Sequence, residues 1–356
     1  MNRILIAILV TLNFQACVQV QEKVILEKPK VDKRVELLSI VFRLAERPEY
    51  SGKIFPPYIE RIEQHFEKYK NHELIQFSKS IIKENQISYD APMWMAVHLD
   101  ENLKLLTGVK ENIWQKDERW TEENVKKFVL LLQKFAKDTN FDDFFKNNAD
   151  LYDETIKRFA SFYEQIDLNW YLSFYGQEPT ETFSIIIGAG NGTSNYGPLI
   201  DYIDGSRNVY AIVGGVGGMF EYHPFAWIVV IHEFNHSFVN WLIYKNIEAF
   251  RESGEKIFSV IKDVLANQAY GDWETMMCEA LVRAAEIKYI KDQEFEQGTI
   301  EEKINREKEN GFFWIEELVD ELESYDKQRD IYPTLESYMP RLIEAYKIWA
   351  ENIQNK

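Results

Sequence analysis

The chain has 356 residues, of which 46% are hydrophobic and 14% aromatic, so it can bury a large core as one domain or as two sub-domains that share a cleft. Its formal net charge at pH 7 is −17. Because a nucleic-acid partner requires clustered lysines and arginines to neutralise phosphates, this acidic balance argues against nucleic-acid binding.

The first residues have the build of a bacterial export signal. They combine a basic Arg3, an apolar run over residues 4–12 and a small residue before Cys17. We therefore predict a signal peptide over residues 1–16 and acylation of Cys17, which makes the protein an exported cell-envelope lipoprotein, with plain secretion as the alternative. The run is too short for a permanent membrane helix, so the lipid is the expected membrane contact. Residues 17–30 mix charge with proline and predict a tether.

The body divides into a helical half and a half that also contains strands. Residues 31–178 show helical periodicity, as in the stretch "TEENVKKFVLLLQKFAKDT" that opens with the N-cap Thr121, and predict a helical N-terminal sub-domain. The stretches "TFSIII" (182–187) and "NVYAIV" (208–213) are short, β-branched and bounded by turn residues, which predicts strands. Helices then resume, so residues 179–356 complete a mostly helical α+β protein.

Two glycine-rich loops lie beside these strands, "GAGNGTSNYG" (188–197) and "GGVGG" (214–218). The first has neither the Gly-Lys-Ser/Thr ending of a phosphate-binding loop nor G-x-G-x-x-G spacing that leads into a helix, which argues against nucleotide binding. Turns that need positive φ are the simpler interpretation. The other interpretation is that the glycines let the backbone approach a ligand closely.

The stretch "VVIHEFNHSF" places His232, Glu233 and His236 in a helix whose preceding residues, 225–231, are apolar on every face. Histidines four residues apart lie on one helix face and can reach one metal ion, while Glu233 can reach a bound water. The pattern H-E-x-x-H therefore predicts two zinc ligands and a general base. Two hydrogen-bonded core histidines are the alternative, but the pattern arises by chance in only about one such chain in a hundred.

An acidic residue downstream should supply the third zinc ligand. Asp272 is a natural N-cap and Glu274 sits in a first helical turn, where the helix dipole explains a carboxylate. Glu279 lies in mid-helix among apolar residues and needs a positive partner, which zinc would provide. Arg283, one turn on, is the alternative partner. Glu279 is thus the predicted ligand, with Glu274 and Glu286 as the alternatives.

At this point the sequence resembles the gluzincin zinc metallopeptidases, the thermolysin-like and aminopeptidase-like class. The resemblance covers about residues 182–290 and includes "CEALVRAA", which is similar to their glutamate-ligand helix. It implies a zincin-like core with a small β-sheet and zinc held by His232, His236 and Glu279. Over residues 31–345, with "YDAPMWMAVHL" and "YPTLESYMP", the chain is similar to a family of exported proteins from Bacteroidetes-type bacteria, a domain of unknown function with metallopeptidase character.

The sequence also departs from the gluzincin pattern. Thermolysin-like enzymes carry an aspartate four residues after the glutamate ligand, and this chain has Arg283 there. The group that supports a zinc histidine must therefore come from elsewhere, with Asp272 and Glu286 as candidates. The aminopeptidase motif Gly-x-Met-x-Asn does not occur, so the resemblance does not extend to aminopeptidase specificity.

The sequence thus predicts a zinc-dependent metallohydrolase, a peptidase acting on a peptide or protein substrate, in which Glu233 takes the proton of a zinc-activated water. His223, Tyr332 and Tyr338 are unranked candidates for the oxyanion donor. If the strand at 208–213 is an edge strand, it could pair with an extended peptide, and an internal position is the equal alternative. A non-catalytic zinc-containing surface binding module and a zinc hydrolase of a non-peptide amide are the competing functions.

Overall fold

A computed structural model describes residues 25–176, 181–222, 225–268 and 270–353. The predicted signal peptide, the lipidation site Cys17 and the oxyanion candidate His223 lie outside these residues. Within them, no helix is both long and apolar enough to cross a bilayer.

The first half of the chain is a layer of helices that follows one short strand. Its elements are β1 Ile25–Leu26, α1 Lys33–Leu44, α2 Pro56–Phe66, α3 Glu73–Asn85, α4 Ala91–Val97, α5 Ile113–Lys116, α6 Glu122–Asp138, α7 Phe141–Lys146, α8 Ala149–Tyr163 and α9 Asn169–Tyr175. Two short 3-10 helices occur at Pro48–Tyr50 and Glu67–Tyr69.

The second half contains the other three strands and six long helices. Its elements are β2 Glu181–Ile187, β3 Leu199–Asp201, β4 Arg207–Val213, α10 Ala226–Lys245, α11 Ile247–Ala266, α12 Trp273–Asp292, α13 Gln297–Glu309, α14 Ile315–Asp326 and α15 Leu335–Asn352. The protein is therefore mostly helical with a small sheet, as the predicted α+β class requires.

Among the described residues, four strands form one mixed sheet in the order β1-β2-β4-β3. β1, β2 and β4 are parallel to one another, and β3 runs antiparallel to β4. The last five residues of both β2 and β4 are buried, as expected for central strands covered on both faces. β4 has β2 on one side and β3 on the other, so the edge alternative for the strand at 208–213 is wrong. β3 is the edge on that side.

Residues 25–30 belong to the sheet, so the predicted tether is wrong for this part of residues 17–30. Glu27 N–H donates to the Phe183 carbonyl at 2.8 Å, and Lys30 N–H donates to the Ile185 carbonyl at 3.1 Å. The Lys30 carbonyl in turn accepts from Ile187 N–H at 2.8 Å. The mixed charge of this segment hid the pairing, because backbone hydrogen bonds to a neighbouring strand do not depend on side-chain polarity.

The first glycine-rich loop rests on helix α1. Glu36, the one acidic residue in the buried stretch of α1, is wholly buried, and its carboxyl group accepts from Gly190 N–H at 3.1 Å. Gly192 adopts a positive φ of 68°, and its carbonyl accepts from Gly215 N–H of the second glycine-rich loop at 3.0 Å. The glycines thus serve turns and close packing between the two loops, which agrees with the simpler interpretation.

Helices α10 and α12 form the centre of the second half. α10 packs on β4 and on α12, and α12 packs on α10, α11 and α14. Both helices are buried along most of their length, including Phe234 and Val239 of α10 and Met277 and Leu281 of α12. Polar side chains between these two helices therefore lie in a largely apolar environment.

Candidate metal centre

The histidines of the H-E-x-x-H stretch and Glu279 meet between α10 and α12. His232 and His236 lie on one face of α10, as their spacing predicts. His232 Nε2 lies 3.7 Å from one carboxylate oxygen of Glu279, and His236 Nε2 lies 3.5 Å from the other. One ligand atom of each residue lies within 4.8 Å of those of the other two, so the three residues could hold a metal ion. We call His232, His236 and Glu279 the ligand group.

The orientation of both imidazole rings suits metal binding. Ligand atoms held tetrahedrally at the usual zinc distances are about 3.4 Å apart, close to the two separations above. The Nδ1 atom of His232 lies 3.1 Å from Glu286 Oε2, and that of His236 lies 3.2 Å from Asn240 Oδ1. An acceptor beside Nδ1 places the ring proton there and leaves the Nε2 lone pair free to bind a metal.

Glu279 has two further partners besides the histidines. The Tyr270 hydroxyl donates to Glu279 Oε2 at 2.9 Å, and Arg283 Nη2 lies 3.3 Å from the same oxygen. Burial by itself raises the pKa of Glu279, but both histidines, Arg283 and the Tyr270 hydrogen bond together outweigh that effect, so its pKa lies below the ordinary value. Arg283 is the alternative partner named from the sequence, and the structure gives Glu279 both the arginine and the histidines.

The other acidic candidates take other positions. Asp272 caps α12, because its carboxylate accepts from Thr275 N–H at 2.6 Å. Glu274 lies in the first turn of α12 and is not part of the group that could hold a metal. Glu286 is 2% exposed and bonds to His232 instead of joining the group. Of the two candidates for support of a zinc histidine, the structure therefore places Glu286 in that position and not Asp272.

The region around the candidate centre contains four buried carboxylates and two side-chain cations. The carboxylates belong to Glu233, Glu279, Glu286 and Glu307, and the cations are Arg283 and Lys303. With these six groups ionised and both histidines neutral, as metal binding requires, two negative charges remain without a counter-charge, and unpaired buried charge is strongly unfavourable. One divalent cation would restore neutrality. The residues present therefore fit such an ion by charge as well as by geometry.

Glu233 is 8% exposed and lies next to His232 in α10. Burial raises its pKa to about 7, an effect that His232 opposes and Glu279 reinforces. A Cβ atom at Gly197 would lie 2.9 Å from Glu233 Oε2 and 2.7 Å from its carbonyl oxygen. The clash with the backbone carbonyl is the more severe of the two, so the glycine permits the close approach of this loop to α10 at Glu233.

The two tyrosines named as candidate oxyanion donors lie elsewhere. The Tyr338 hydroxyl donates to Glu321 Oε2 at 2.7 Å, and the Tyr332 ring packs against that of Tyr338 with centroids 5.0 Å apart. Among the hydrogen bonds of the described residues, neither hydroxyl reaches the three-residue group. The tyrosine at the group is Tyr270, in the loop between α11 and α12, and it was not predicted because no sequence motif marks it.

The sequence comparison identifies the family. A family model described as Domain of unknown function (DUF4932) matches residues 27–345. The chain belongs to this family. No curated protein and no solved structure matches the chain. The match spans both halves of the molecule and contains every residue of the candidate metal centre, whose chemistry is the basis for assigning a function.

Proposed function

We propose that this protein is a zinc-dependent hydrolase with a zincin-like core and that it cleaves peptides or proteins. The observation that carries the proposal is the convergence of His232, His236 and Glu279 beside Glu233, a buried carboxylate outside the ligand group. A structural zinc site is normally closed by four protein ligands and needs no additional carboxylate. A catalytic site keeps three protein ligands and a position for water, and the group found here offers three ligands.

The donor set favours zinc. Two imidazole nitrogens and one carboxylate oxygen form a common ligand set of catalytic zinc. Zinc held there supplies a Lewis acid for a carbonyl group and lowers the pKa of water. Neighbouring side chains orient the ligands for metal binding, since Glu286 fixes the ring of His232, and Tyr270 and Arg283 hold the carboxylate of Glu279.

Glu233 is the proposed general base. It takes the proton of the attacking water and returns it to the leaving amine, which is the usual exchange for a carboxylate in this role. Its position next to His232 on α10 places the carboxylate beside the ligand group without adding it to the group. Gly197 packs directly against this residue, since a Cβ atom there would collide with the Glu233 carbonyl oxygen and with Oε2.

The edge strand β3 supports a peptide substrate. β3 is antiparallel to β4 and begins two residues after Gly197. Backbone hydrogen bonds join residues 196 and 212, 198 and 210, and 202 and 206, so the backbone groups of Leu199 point away from β4. The far end of that edge is occupied, because Lys110 N–H donates to the Asp201 carbonyl at 2.7 Å and Ile203 N–H donates to the Gly108 carbonyl at 2.8 Å. An extended peptide would therefore pair at Leu199, two residues from Gly197.

The test is Glu233→Gln in the mature protein. Glutamine keeps the size of the side chain but cannot accept the proton, so one zinc per chain should remain while hydrolysis of a peptide library falls by about 10²–10⁴-fold. Zinc is measured by elemental analysis and cleavage by mass spectrometry. Glu252→Gln, an exposed change on α11, is the matched control and should behave like the parent.

Three results would contradict the proposal in different ways. Full zinc content in His232→Ala would show that His232 is not a zinc ligand and would contradict the proposed metal centre. A zinc-loaded parent that cleaves no peptide would favour the surface binding module, or a non-peptide amidase if amide substrates are hydrolysed. If Glu233→Gln cleaves peptides at the parental rate, Glu233 is not the general base.

A further inference from the structure

A closed ring of polar contacts runs from His232 through side chains of α12 and α13 to Glu279 and back to His232. Glu279, Arg283 and Glu286 project from one face of α12, and Lys303 and Glu307, one turn apart on α13, meet them. The contacts are His232 Nδ1 to Glu286 at 3.1 Å, Glu286 to Lys303 at 2.7 Å, Lys303 to Glu307 at 2.8 Å, Glu307 to Arg283 at 2.7 Å, Arg283 to Glu279 at 3.3 Å and Glu279 to His232 Nε2 at 3.7 Å.

Lys303 joins two carboxylates that are almost inaccessible to solvent. The side chains of Glu286 and Glu307 are 3% and 1% exposed, and the Lys303 ammonium contacts Oε1 of each. The second oxygen of Glu286 contacts His232 Nδ1. Both oxygens of Glu286 are thus engaged, so the contact with Lys303 helps to fix the orientation of the carboxylate that faces His232.

The same lysine acts on Glu279 through a second route. Glu307 Oε1 contacts Lys303, and its Oε2 accepts from Arg283 Nη1. The other end of the guanidinium, Nη2, donates to the Tyr270 oxygen at 2.8 Å and lies beside Glu279 Oε2. Because the guanidinium is planar and rigid, fixing Nη1 also fixes Nη2. The orientation of Glu279 therefore depends on Glu307.

We infer that Lys303 is a positioning residue of the metal centre: by holding Glu286 and Glu307 at once, it sets the orientations of the ligands His232 and Glu279. Lys303 contacts neither ligand, so its effect is transmitted through its two carboxylate partners. The inference rests on the proposed zinc centre and adds a residue from α13 to it. Arg306 lies one turn along the same helix but pairs with Glu302 on the protein surface, where their side chains are 52% and 72% exposed.

The experiment measures zinc affinity in Lys303→Met, Lys303→Arg and the control Arg306→Met. Methionine keeps most of the side-chain length and removes the charge. Zinc dissociation constants come from competition with a chromophoric chelator, and urea unfolding of the metal-free proteins runs in parallel. We expect zinc binding about tenfold weaker in Lys303→Met, at the low end of the range for residues that support metal ligands. Lys303→Arg, which can also bridge two carboxylates, should bind more tightly than Lys303→Met.

Parental zinc affinity in folded Lys303→Met would overturn the inference, and so would an equal loss in Arg306→Met. If Lys303→Met does not fold, Glu307→Gln replaces it, because glutamine has the same size and weakens the contacts to both Lys303 and Arg283. Its zinc affinity should fall while its far-ultraviolet circular dichroism stays parental, and unchanged affinity would again refute the inference. If the proposed zinc centre itself is wrong, His232→Ala will retain its zinc. That result is distinct from a failure of the Lys303 inference.

Discussion

Replacing Glu36 with glutamine should make the free energy of unfolding less dependent on pH. Glu36 is wholly buried in α1, under the first glycine-rich loop. Burial raises its pKa from 4.5 to about 8, although the Tyr58 hydroxyl and the N–H groups of Ala189 and Gly190 act in the opposite direction. Near neutral pH the carboxyl group is therefore mainly protonated in the folded protein and ionised in the unfolded chain.

The sign and size of the effect follow from that difference. A group whose pKa is raised by folding stabilises the fold fully below its unfolded pKa, and the contribution is lost as the pH rises through the folded pKa of about 8. One pKa unit corresponds to ~1.4 kcal/mol. Between about pH 5.5 and pH 7.5, Glu36 should therefore remove ~2.5 kcal/mol from the free energy of unfolding. Glutamine stays neutral and removes this dependence.

The assay is urea unfolding followed by tryptophan fluorescence at several pH values across this range. The stability of the parent minus that of Glu36→Gln should fall as the pH rises, because other titrating groups contribute equally to both proteins. Glu60→Gln, an exposed change on α2, removes one carboxylate without altering a buried site and should follow the parent. A parent-minus-variant difference that is constant across the range would refute the argument that Glu36 is protonated in the fold.

Three further predictions concern the site and the N-terminus. Glu279→Gln should weaken zinc binding and activity together, and added zinc should restore part of the activity. Glu274→Gln should leave zinc binding and activity unchanged. Equal behaviour of the two variants in a zinc titration would reject Glu279 as a ligand. Gly197→Ala would place a methyl group 2.9 Å from Glu233 Oε2, so peptide hydrolysis should fall while zinc content remains, and parental turnover would contradict the close approach. Cys17→Ser should release the protein from the membrane fraction or leave it unprocessed, and identical soluble behaviour of parent and variant would exclude lipidation.

Sequence patterns located helix α6 and the two central strands well. α6 begins directly after the predicted N-cap Thr121, whose hydroxyl accepts from Asn124 N–H at 3.1 Å. β2 and β4 each begin one residue before the predicted strand. The edge strands β1 and β3 escaped prediction because they are two and three residues long. Such short segments are strands only through pairing with distant neighbours, which local propensity does not encode.

The same distinction applies to the candidate site. Glu279 could be found because an acidic side chain in the middle of an apolar helix is conspicuous in the sequence. Lys303 and Glu307 lie in "EEKINREKEN", a run of charges that normally indicates a solvated helix face. The packing of α13 on α12 and α14 buries Glu307 and covers most of Lys303, and no local pattern reveals which charges of such a run will be covered.

The pairing of β1 with β2 has a consequence for how the molecule folds. Ile25 pairs with Thr182, so the whole helical layer forms a loop closed by that contact. Bringing such distant residues together costs chain entropy that is recovered only when the intervening helices are compact. The sheet beneath the candidate centre should therefore be completed late, after the helices have collapsed. We expect the amides of Glu27, Lys30 and Ile187, which donate across this pairing, to become protected from hydrogen exchange later during refolding than those of α6.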